Sequence, residues 1–172
     1  MALIQLKNVT ISYPSLFSPA VFEGVEGKYE ATFLIPKSDL KTKALLDQAI
    51  TEAIVASKVK GKIPSEKYCL TDGDERGDES YHGSWSIKAG NKKRPTVINR
   101  AKSPITEADD IIYPGCKVDA IIDIWIQDNK WGKRVNANLY GVRFVADGEA
   151  LGAGRVDVMG EFEDLDSDLD DI

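Results

Sequence analysis

The sequence predicts a mainly β fold with one long helix and an acidic C-terminal segment, and three observations carry that prediction. Several short segments alternate apolar and polar residues, as half-buried strands do. One segment, 40–58, instead has apolar residues at helical spacing. Residues 157–172 hold eight of the 28 acids and no base. The first two observations define a folded body, and the third separates a tail from it.

The first two strands are predicted at 3–13 and 28–35. The first is rich in apolar residues and is expected to end at Pro14, which cannot donate to a strand ladder. The second places four apolar side chains on one face: Tyr29, Ala31, Phe33 and Ile35. Its other face carries Lys28, Glu30 and Thr32, so it reads as a half-buried antiparallel strand.

The helix follows the second strand. Ser38 is the predicted N-cap, and Asp39 would lie in the first turn. The apolar positions at helical spacing are Leu46, Ala49, Ile50, Ala53 and Ile54. Gly61 and Pro64 come after these positions, so the helix is expected to end near residue 58.

A long hairpin is predicted from two alternating segments, 117–127 and 131–145, joined by a turn at 128–130. The inward residues of the first segment are Val118, Ala120, Ile122, Ile124 and Ile126. In the second segment Val135, Ala137 and Leu139 would face in, while Arg134, Asn136, Asn138 and Tyr140 would face out. A further strand at 81–88 brings the total to about five.

Five antiparallel strands and one helix within about 150 residues fit a small, partly open β-barrel of the OB type. A β-sandwich or another α+β sheet produces similar patterns, so these stay open as alternatives. The predicted domains are a folded body at 1–156 and an acidic, flexible tail at 157–172. We refer to the second segment as the acidic tail.

The net charge of −6 initially argues against a nucleic-acid-binding protein. The eight acids of the tail account for the sign, because the body then holds 20 acids against 22 bases, or +2. The tail cannot fold alone, since charge repulsion and low apolar content prevent a core. The overall charge therefore excludes no nucleic-acid partner.

Two basic and aromatic clusters are the candidate binding residues. Segment 81–102 has six bases and no acid, with Lys92, Lys93 and Arg94 expected at a loop tip after Gly90. Mobile cations of this kind contact phosphates and release their counterions. The residues of this cluster are Tyr81, Trp85, Lys88, Lys92, Lys93, Arg94, Arg100 and Lys102. A solvated basic loop is the alternative, and Trp85 shares a face with Ile87, which also fits a core position.

The second cluster lies on the predicted hairpin. Its residues are Lys130, Trp131, Lys133, Arg134, Tyr140 and Arg143. Tyr81, Trp131 and Tyr140 are the predicted stacking residues, since a flat exposed ring stacks on any base. Asn136 and Asn138 would add hydrogen-bond donors on the same face. Trp125 lies on the polar face of its strand and fits either stacking or burial under the helix or at a subunit contact.

Catalytic and metal sites are not predicted, and neither is a cofactor. Asp72 and Asp74 faintly resemble the start of a calcium loop, but the twelfth position is Gly83 where a Glu is needed. Asp119 and Asp123 would be about 13 Å apart along one strand, too far to share a metal. The one histidine, His82, has no partner motif. The sequence therefore predicts no enzyme.

A cytoplasmic protein is expected. No apolar run reaches 18 residues, and the first twenty residues lack a signal-peptide pattern. The two cysteines, Cys69 and Cys116, form neither a disulfide framework nor a zinc spacing.

The acidic tail has two interpretations, a solubilising segment or an interaction peptide that also occupies the cationic surface of the body. Apolar residues among the acids favour the second interpretation, because solubility alone does not need them. The candidate partner-binding residues are Glu161, Phe162, Leu165, Leu169, Asp170, Asp171 and Ile172.

An ordered set of short motifs then resembles a known family. They are Ser12-Tyr13-Pro14 before Leu16-Phe17, and the segments 29–37, 72–75, 92–95, 113–116 and 141–148. In this order they resemble the phage-encoded single-stranded DNA-binding proteins with a compact OB fold. The resemblance implies sequence-independent binding of single strands in phage replication or recombination. It also implies that the tail, which here ends in Ile172, recruits polymerases, helicases or exonucleases.

The function predicted from the sequence is thus a non-enzymatic single-stranded DNA-binding protein, a monomer or homodimer with no membrane partner. A metal-dependent nuclease and a virion assembly protein with a nucleic-acid-mimicking tail are the alternatives. Lys88, Lys92, Lys93, Arg94, Arg100, Lys133, Arg134 and Arg143 would contact phosphates.

Overall fold

The computed structural model describes residues 3–22, 25–75, 77 and 79–151, so the acidic tail lies outside the described residues. The strands before the helix are β1 (Ile4–Ser15), β2 (Val21–Phe22), β3 (Val25–Glu26) and β4 (Tyr29–Pro36). Helix α1 spans Leu40–Ser57. The later strands are β5 (Leu70–Asp72), β6 (Ser84–Asn91), β7 (Thr96–Ile98), β8 (Lys117–Asn129) and β9 (Gly132–Ala146).

Five of these strands form a closed barrel. Strands β6, β4, β1, β8 and β9 lie side by side in antiparallel pairs. A parallel pairing of Gly90 with Asn138 then joins β6 back to β9. The predicted mainly β barrel with one helix is confirmed, and the β-sandwich alternative is wrong. The barrel is closed where the sequence suggested a partly open one.

The remaining strands attach to the barrel or stand beside it. Strand β5 pairs with β6, and the Cys69 amide just before it donates to the Val135 carbonyl at 2.8 Å. Strand β7 continues in the direction of β6 and pairs with β9 at residues 141–143. Strands β2 and β3 form a separate two-stranded pair.

The barrel interior is filled by the apolar faces that the alternation predicts. The fully buried residues of β8 and β9 include Val118, Ala120, Ile122, Val135 and Leu139. Those of β1, β4 and β6 include Leu6, Val9, Ile11, Phe33, Ile35 and Ile87. Most polar residues of these strands consequently lie on the outside of the barrel wall, although Ser12, Ser86 and Asp123 are buried there.

Strand β1 passes through Pro14 instead of ending before it. Its pairing with β4 changes register between Ser12 and Ser15, and Tyr13 between them has a φ of 46°. A second irregularity near Asn8, with φ 52°, is held by its amide donating to Asp119 Oδ1 at 2.9 Å. Because a bulge accommodates a residue outside the ladder, the proline does not terminate the strand.

The helix begins where its spacing predicts, but its cap is Asp39 and not Ser38. Asp39 Oδ1 accepts from the Thr42 amide at 3.2 Å, and its Oδ2 accepts from the Thr42 hydroxyl at 2.7 Å. Leu46 and Ile50 bury the inner face of α1 against the barrel. No helix among the described residues is long and apolar enough to cross a membrane.

Strand β6 lies three residues later than predicted. Tyr81 belongs to a short 3₁₀ turn, and Gly90 and Asn91 pair with Glu30 and Tyr29 instead of breaking the strand. At Gly90 a Cβ would lie 3.2 Å from the Tyr29 carbonyl oxygen. The glycine therefore permits a close approach of β4 to β6 inside the strand.

Candidate nucleic-acid interface

A groove of about 680 Å³ runs along the outside of the barrel, and we call it the central groove. One wall comes from the outward positions of β4 and β6, which include Glu30, Thr32 and Lys88. The opposite wall comes from the β8–β9 hairpin. The segment that precedes and enters β5 contributes Tyr68 and Thr71 between them. Strand β5 pairs with β6, and the Cys69 amide before it donates to the Val135 carbonyl of β9, so this segment forms the floor between the two walls.

The charges in the central groove are mainly positive. Among the described residues that line it, four are cationic: Lys28, Lys67, Lys88 and Arg134. Two are anionic, Glu30 and Glu66. Lys88 Nζ lies 3.3 Å from Glu30 Oε2. Cations spaced along a groove of this shape can follow the phosphates of one strand.

Aromatic rings stand among these cations. Tyr13 at the β1 bulge is 66% exposed, and Tyr68 and Trp125 are partly buried lining residues. Rings next to cations supply stacking surfaces whose use does not depend on base identity. For Trp125 the structure favours the accessible position over burial under α1.

Polar side chains on the hairpin are already engaged across the two strands. Asn136 donates to Gln127 Oε1 at 3.1 Å, and Asn138 donates to Asp123 Oδ1 at 2.9 Å. The Tyr140 hydroxyl donates to Asp123 Oδ2 at 3.0 Å. These contacts orient both amides along β8, and because each amide nitrogen carries two hydrogens, donation by Asn136 and Asn138 to a ligand stays a prediction.

Of the predicted site residues, Lys88 and Arg134 line the central groove. The stacking role predicted for Tyr81 does not agree with its position. Tyr81 lies at the groove but is 1% exposed, and its hydroxyl is 3.1 Å from Ser12 Oγ. A ring buried to this degree cannot stack on a base without a rearrangement, so the prediction that Tyr81 stacks is wrong for this conformation. Its place in the 3₁₀ turn, before β6 starts, turns the ring inward.

The predicted basic loop follows β6. Lys92, Lys93 and Arg94 are exposed there. Arg94 donates to the Phe17 carbonyl at 2.9 Å and lies 5.9 Å from the centre of the Tyr29 ring. These contacts hold the loop beside the start of β4, where Lys28 lines the groove. The loop therefore extends the cationic surface beyond one end of the groove.

The tip of the hairpin carries the most exposed tryptophan. Trp131 is 76% exposed, with Lys130 Nζ 5.1 Å from its ring centre. Lys133, by contrast, donates to the Lys60 carbonyl. Its ammonium ties the segment after α1 to the hairpin, and the phosphate contact expected of Lys133 stays a prediction.

Five further predicted residues lie away from the groove lining. Trp85 lies in the crevice between α1 and β5, with Lys43 Nζ 5.0 Å from its ring centre. Arg143 donates from Nε to Asp119 Oδ2 at 3.0 Å. Arg143 and Tyr140 line a separate, mainly apolar crevice beside β7. Arg100 and Lys102 are exposed on the loop after β7.

The prediction that Trp85, Tyr140 and Arg143 contact DNA is not supported by these positions. Packing under α1 explains Trp85, which the alternation also allowed as a core residue. The pairing of Asp119 with Arg143 across β8 and β9 explains the arginine. Cross-strand partners of this kind depend on register, which single-strand alternation does not determine.

Four cationic or aromatic residues that line the groove are absent from the binding residues that the sequence predicts. Lys28 stands on the polar face of a predicted strand, and that position is a signal that could have included it. Tyr13 lies at the bulge in β1. Lys67 and Tyr68 belong to a segment without clear periodicity. Only the three-dimensional closure of the barrel brings this segment between the two walls.

Chemistry other than binding has little support at these side chains. Burial raises the pKa of the Cys69 thiol to about 12, so the groove holds no ready nucleophile there. Lys37 Nζ lies 2.7 Å from Asp72 Oδ1 and 2.5 Å from Asp74 Oδ2. The hydrogen bonds that Lys37 donates lower the pKa of both carboxyls. Among the described residues no group of His, Cys, Asp and Glu could hold a metal ion.

A β-barrel with rings and cations along one groove is typical of proteins that bind single-stranded nucleic acid. Stacking rings need unpaired bases, which a single strand offers. The chain belongs to the family of the single-stranded DNA-binding protein of Enterobacter phage Enc34, whose model matches residues 2–172.

Individual relatives agree with that family. The chain is 40% identical to putative protein p50 of Acyrthosiphon pisum secondary endosymbiont phage 1, over 94% of this chain and 93% of that one. It is 35% identical to the phage Enc34 single-stranded DNA-binding protein solved with single-stranded DNA, covering 87% and 89% of the two chains at a TM-score of 0.80. The single-stranded DNA-binding protein gp2.5 of bacteriophage T7 shares the fold, at 15% identity, with coverages of 96% and 99% and a TM-score of 0.61.

Proposed function

We propose that this protein binds single-stranded DNA in the central groove, without base-sequence preference, during phage DNA replication or recombination. The observation that carries the proposal is the combination of stacking rings and cations along one groove on the barrel wall. The activity is binding and protection of the strand, with no catalytic step. The related phage Enc34 protein, solved with single-stranded DNA, supports this choice of ligand.

Phosphates are bound by Lys28, Lys67, Lys88 and Arg134 in this proposal. The basic loop at 92–94 then continues the path of the strand beyond the groove. These contacts are electrostatic, so affinity falls as salt rises. They are also indifferent to base identity, because every nucleotide carries the same phosphate.

Bases stack on Tyr13, Tyr68, Trp125 and Trp131. Each stacked base contributes about 1–3 kcal/mol, and every base has a face that can stack. In a duplex the same faces are covered by neighbouring bases. The rings therefore provide the preference for single strands that the cations alone cannot provide.

The acidic tail has a separate role in the proposal. Its acids and the apolar residues Phe162, Leu165 and Leu169 recruit replication or recombination proteins of the host or phage. The folded domain is 1–156 and the tail is 157–172, and the protein works in the cytoplasm of the host cell.

A fluorescence-anisotropy titration of labelled oligo-dT with the full chain tests the proposal. We expect saturable binding that weakens as salt rises, and weaker binding to a blunt duplex of the same length. Equal affinity for the duplex, or no binding at low salt, contradicts the proposal. The same oligonucleotide incubated with magnesium or manganese should stay intact, whereas shortening would favour the nuclease alternative.

A further inference from the structure

An acidic side chain lies in the wall of the central groove between two of its cations. Glu30 stands on β4 two residues after Lys28, and its Oε2 lies 3.3 Å from Lys88 Nζ on β6. Thr32 pairs with Lys88 and Glu30 pairs with Gly90, so Glu30 and Lys88 are diagonal neighbours across the two strands. The Glu30 carboxylate therefore lines the space that the proposed function assigns to the phosphates of a bound strand.

The pair is not explained by stability. The Lys88 side chain is 64% exposed and that of Glu30 is 28% exposed. Ion pairs with this exposure contribute little to folding, because water and salt screen them. The fold therefore gains little from a carboxylate at position 30.

The backbone opposite Glu30 leaves room for its side chain. A Cβ at Gly90 would lie 3.4 Å from the Glu30 Cβ and 3.7 Å from the Lys28 Cδ. Because Gly90 has no side chain, both Glu30 and Lys28 can extend over β6 toward the groove.

We propose that Glu30 is an internal competitor for Lys88, which occupies the place of a phosphate while the groove is empty. An incoming strand exchanges the carboxylate for its own phosphate at Lys88. The affinity of the groove is thereby held below what its cations alone would give. This inference rests on the proposed function and adds a residue that sets the strength of binding.

The test is a double-mutant cycle on oligo-dT affinity at one fixed, low salt concentration. The variants are Glu30→Gln, Lys88→Gln and the double substitution. We expect E30Q to tighten binding about 2- to 5-fold, the equivalent of an exposed ion pair. In the K88Q background the same change should have an effect below about 1.5-fold, because the competed cation is gone.

Glu52→Gln on the exposed face of α1 is the matched control, and it should leave affinity unchanged. E30Q should also keep its Tm within about 2 °C of the wild type. Unchanged or weaker binding by E30Q overturns the inference. Equal tightening by E30Q with and without Lys88 also overturns it, because Glu30 would then act by general repulsion. If the wild-type chain fails to bind oligo-dT at all, the proposed function itself fails.

Discussion

Residues of the same type differ in exposure and contacts because their neighbours in the fold differ. Trp85, Trp125 and Trp131 all lie among polar residues in the sequence. Lys43 covers the first, the second lines the central groove, and the third is exposed at the hairpin tip. Residue type and local charge predict a candidate set, but the neighbours across the fold select its members.

The three tryptophans give a direct prediction. Trp125→Ala should weaken oligo-dT binding by about 1–3 kcal/mol, which is roughly 5- to 150-fold, because one stacking platform is lost. Trp85→Phe, which keeps an aromatic ring under Lys43, should leave affinity unchanged. Anisotropy titrations of both variants measure this. A larger loss in W85F than in W125A would contradict the assignment of the groove.

Cys69 predicts a dependence of stability on alkaline pH. The thiol has a reference pKa of 9.0 and a pKa of about 12 in the folded chain, because burial disfavours the thiolate. Below pH 9 its contribution is fully present, and it is lost as the pH rises toward 12. Between pH 8 and 10.5 the free energy of unfolding should fall by about 2 kcal/mol through this group.

Urea unfolding of the wild type and of Cys69→Ser at the two pH values checks that fall. The serine variant should lose less stability, although some loss remains because burial also raises the pKa of Cys116. An equal fall in both proteins would show that Cys69 does not contribute.

At the scale of elements, the cap of α1 provides a test with its own control. Asp39 makes the capping contacts to Thr42, whereas Ser38 before it is exposed. Asp39→Ala should lower the free energy of unfolding by about 1 kcal/mol, and Ser38→Ala should change it far less. The urea unfolding midpoints of the two variants show which of Asp39 and Ser38 caps the helix. A greater loss in S38A would restore Ser38 as the cap.

Periodicity predicts the elements whose partners lie on a regular face. Strands β4, β8 and β9 and helix α1 were all expected within two residues of their observed ends. The cap was misplaced because Ser38 and Asp39 are both good capping residues, and only the helical register chooses between them. Strand β6 ends three residues later than the pattern predicts, because Gly90 suggests a break where it instead allows close strand contact.

The parts of the fold that form the groove were the hardest to predict. Strands β5 and β7 have three residues each, too short for alternation to identify. The Gly90–Asn138 pairing joins segments 48 residues apart, and nothing local indicates it. The two predicted basic clusters include Lys88 and Arg134, which line the groove, but Tyr68 and Lys67 enter the groove only through this closure.

At the scale of the whole molecule, two oppositely charged parts follow each other in one chain. The body at 1–156 carries +2, and the tail at 157–172 carries eight acids. We expect a polyanion attached to a DNA-binding body to compete with DNA for the same cations. The net charge therefore says little about the groove itself.

Deletion of residues 161–172 should consequently tighten oligo-dT binding at low salt. The difference from the full chain should shrink as salt rises, because salt screens the tail and the groove alike. Anisotropy titrations of both proteins over a range of salt measure this. Equal or weaker affinity of the shortened chain at low salt would contradict competition by the tail.

The central claim is that the central groove carries the phosphate contacts, and the salt dependence of oligo-dT affinity tests it most directly. If about five phosphates are neutralised, log affinity should fall against log salt with a slope of about −3.5. Lys88→Gln with Arg134→Gln should flatten that slope by about 1.4. The control pair Lys7→Gln with Lys41→Gln removes two exposed cations outside the groove lining and should keep it. A slope that stays steep in the groove variant, or flattens equally in the control, would contradict the account.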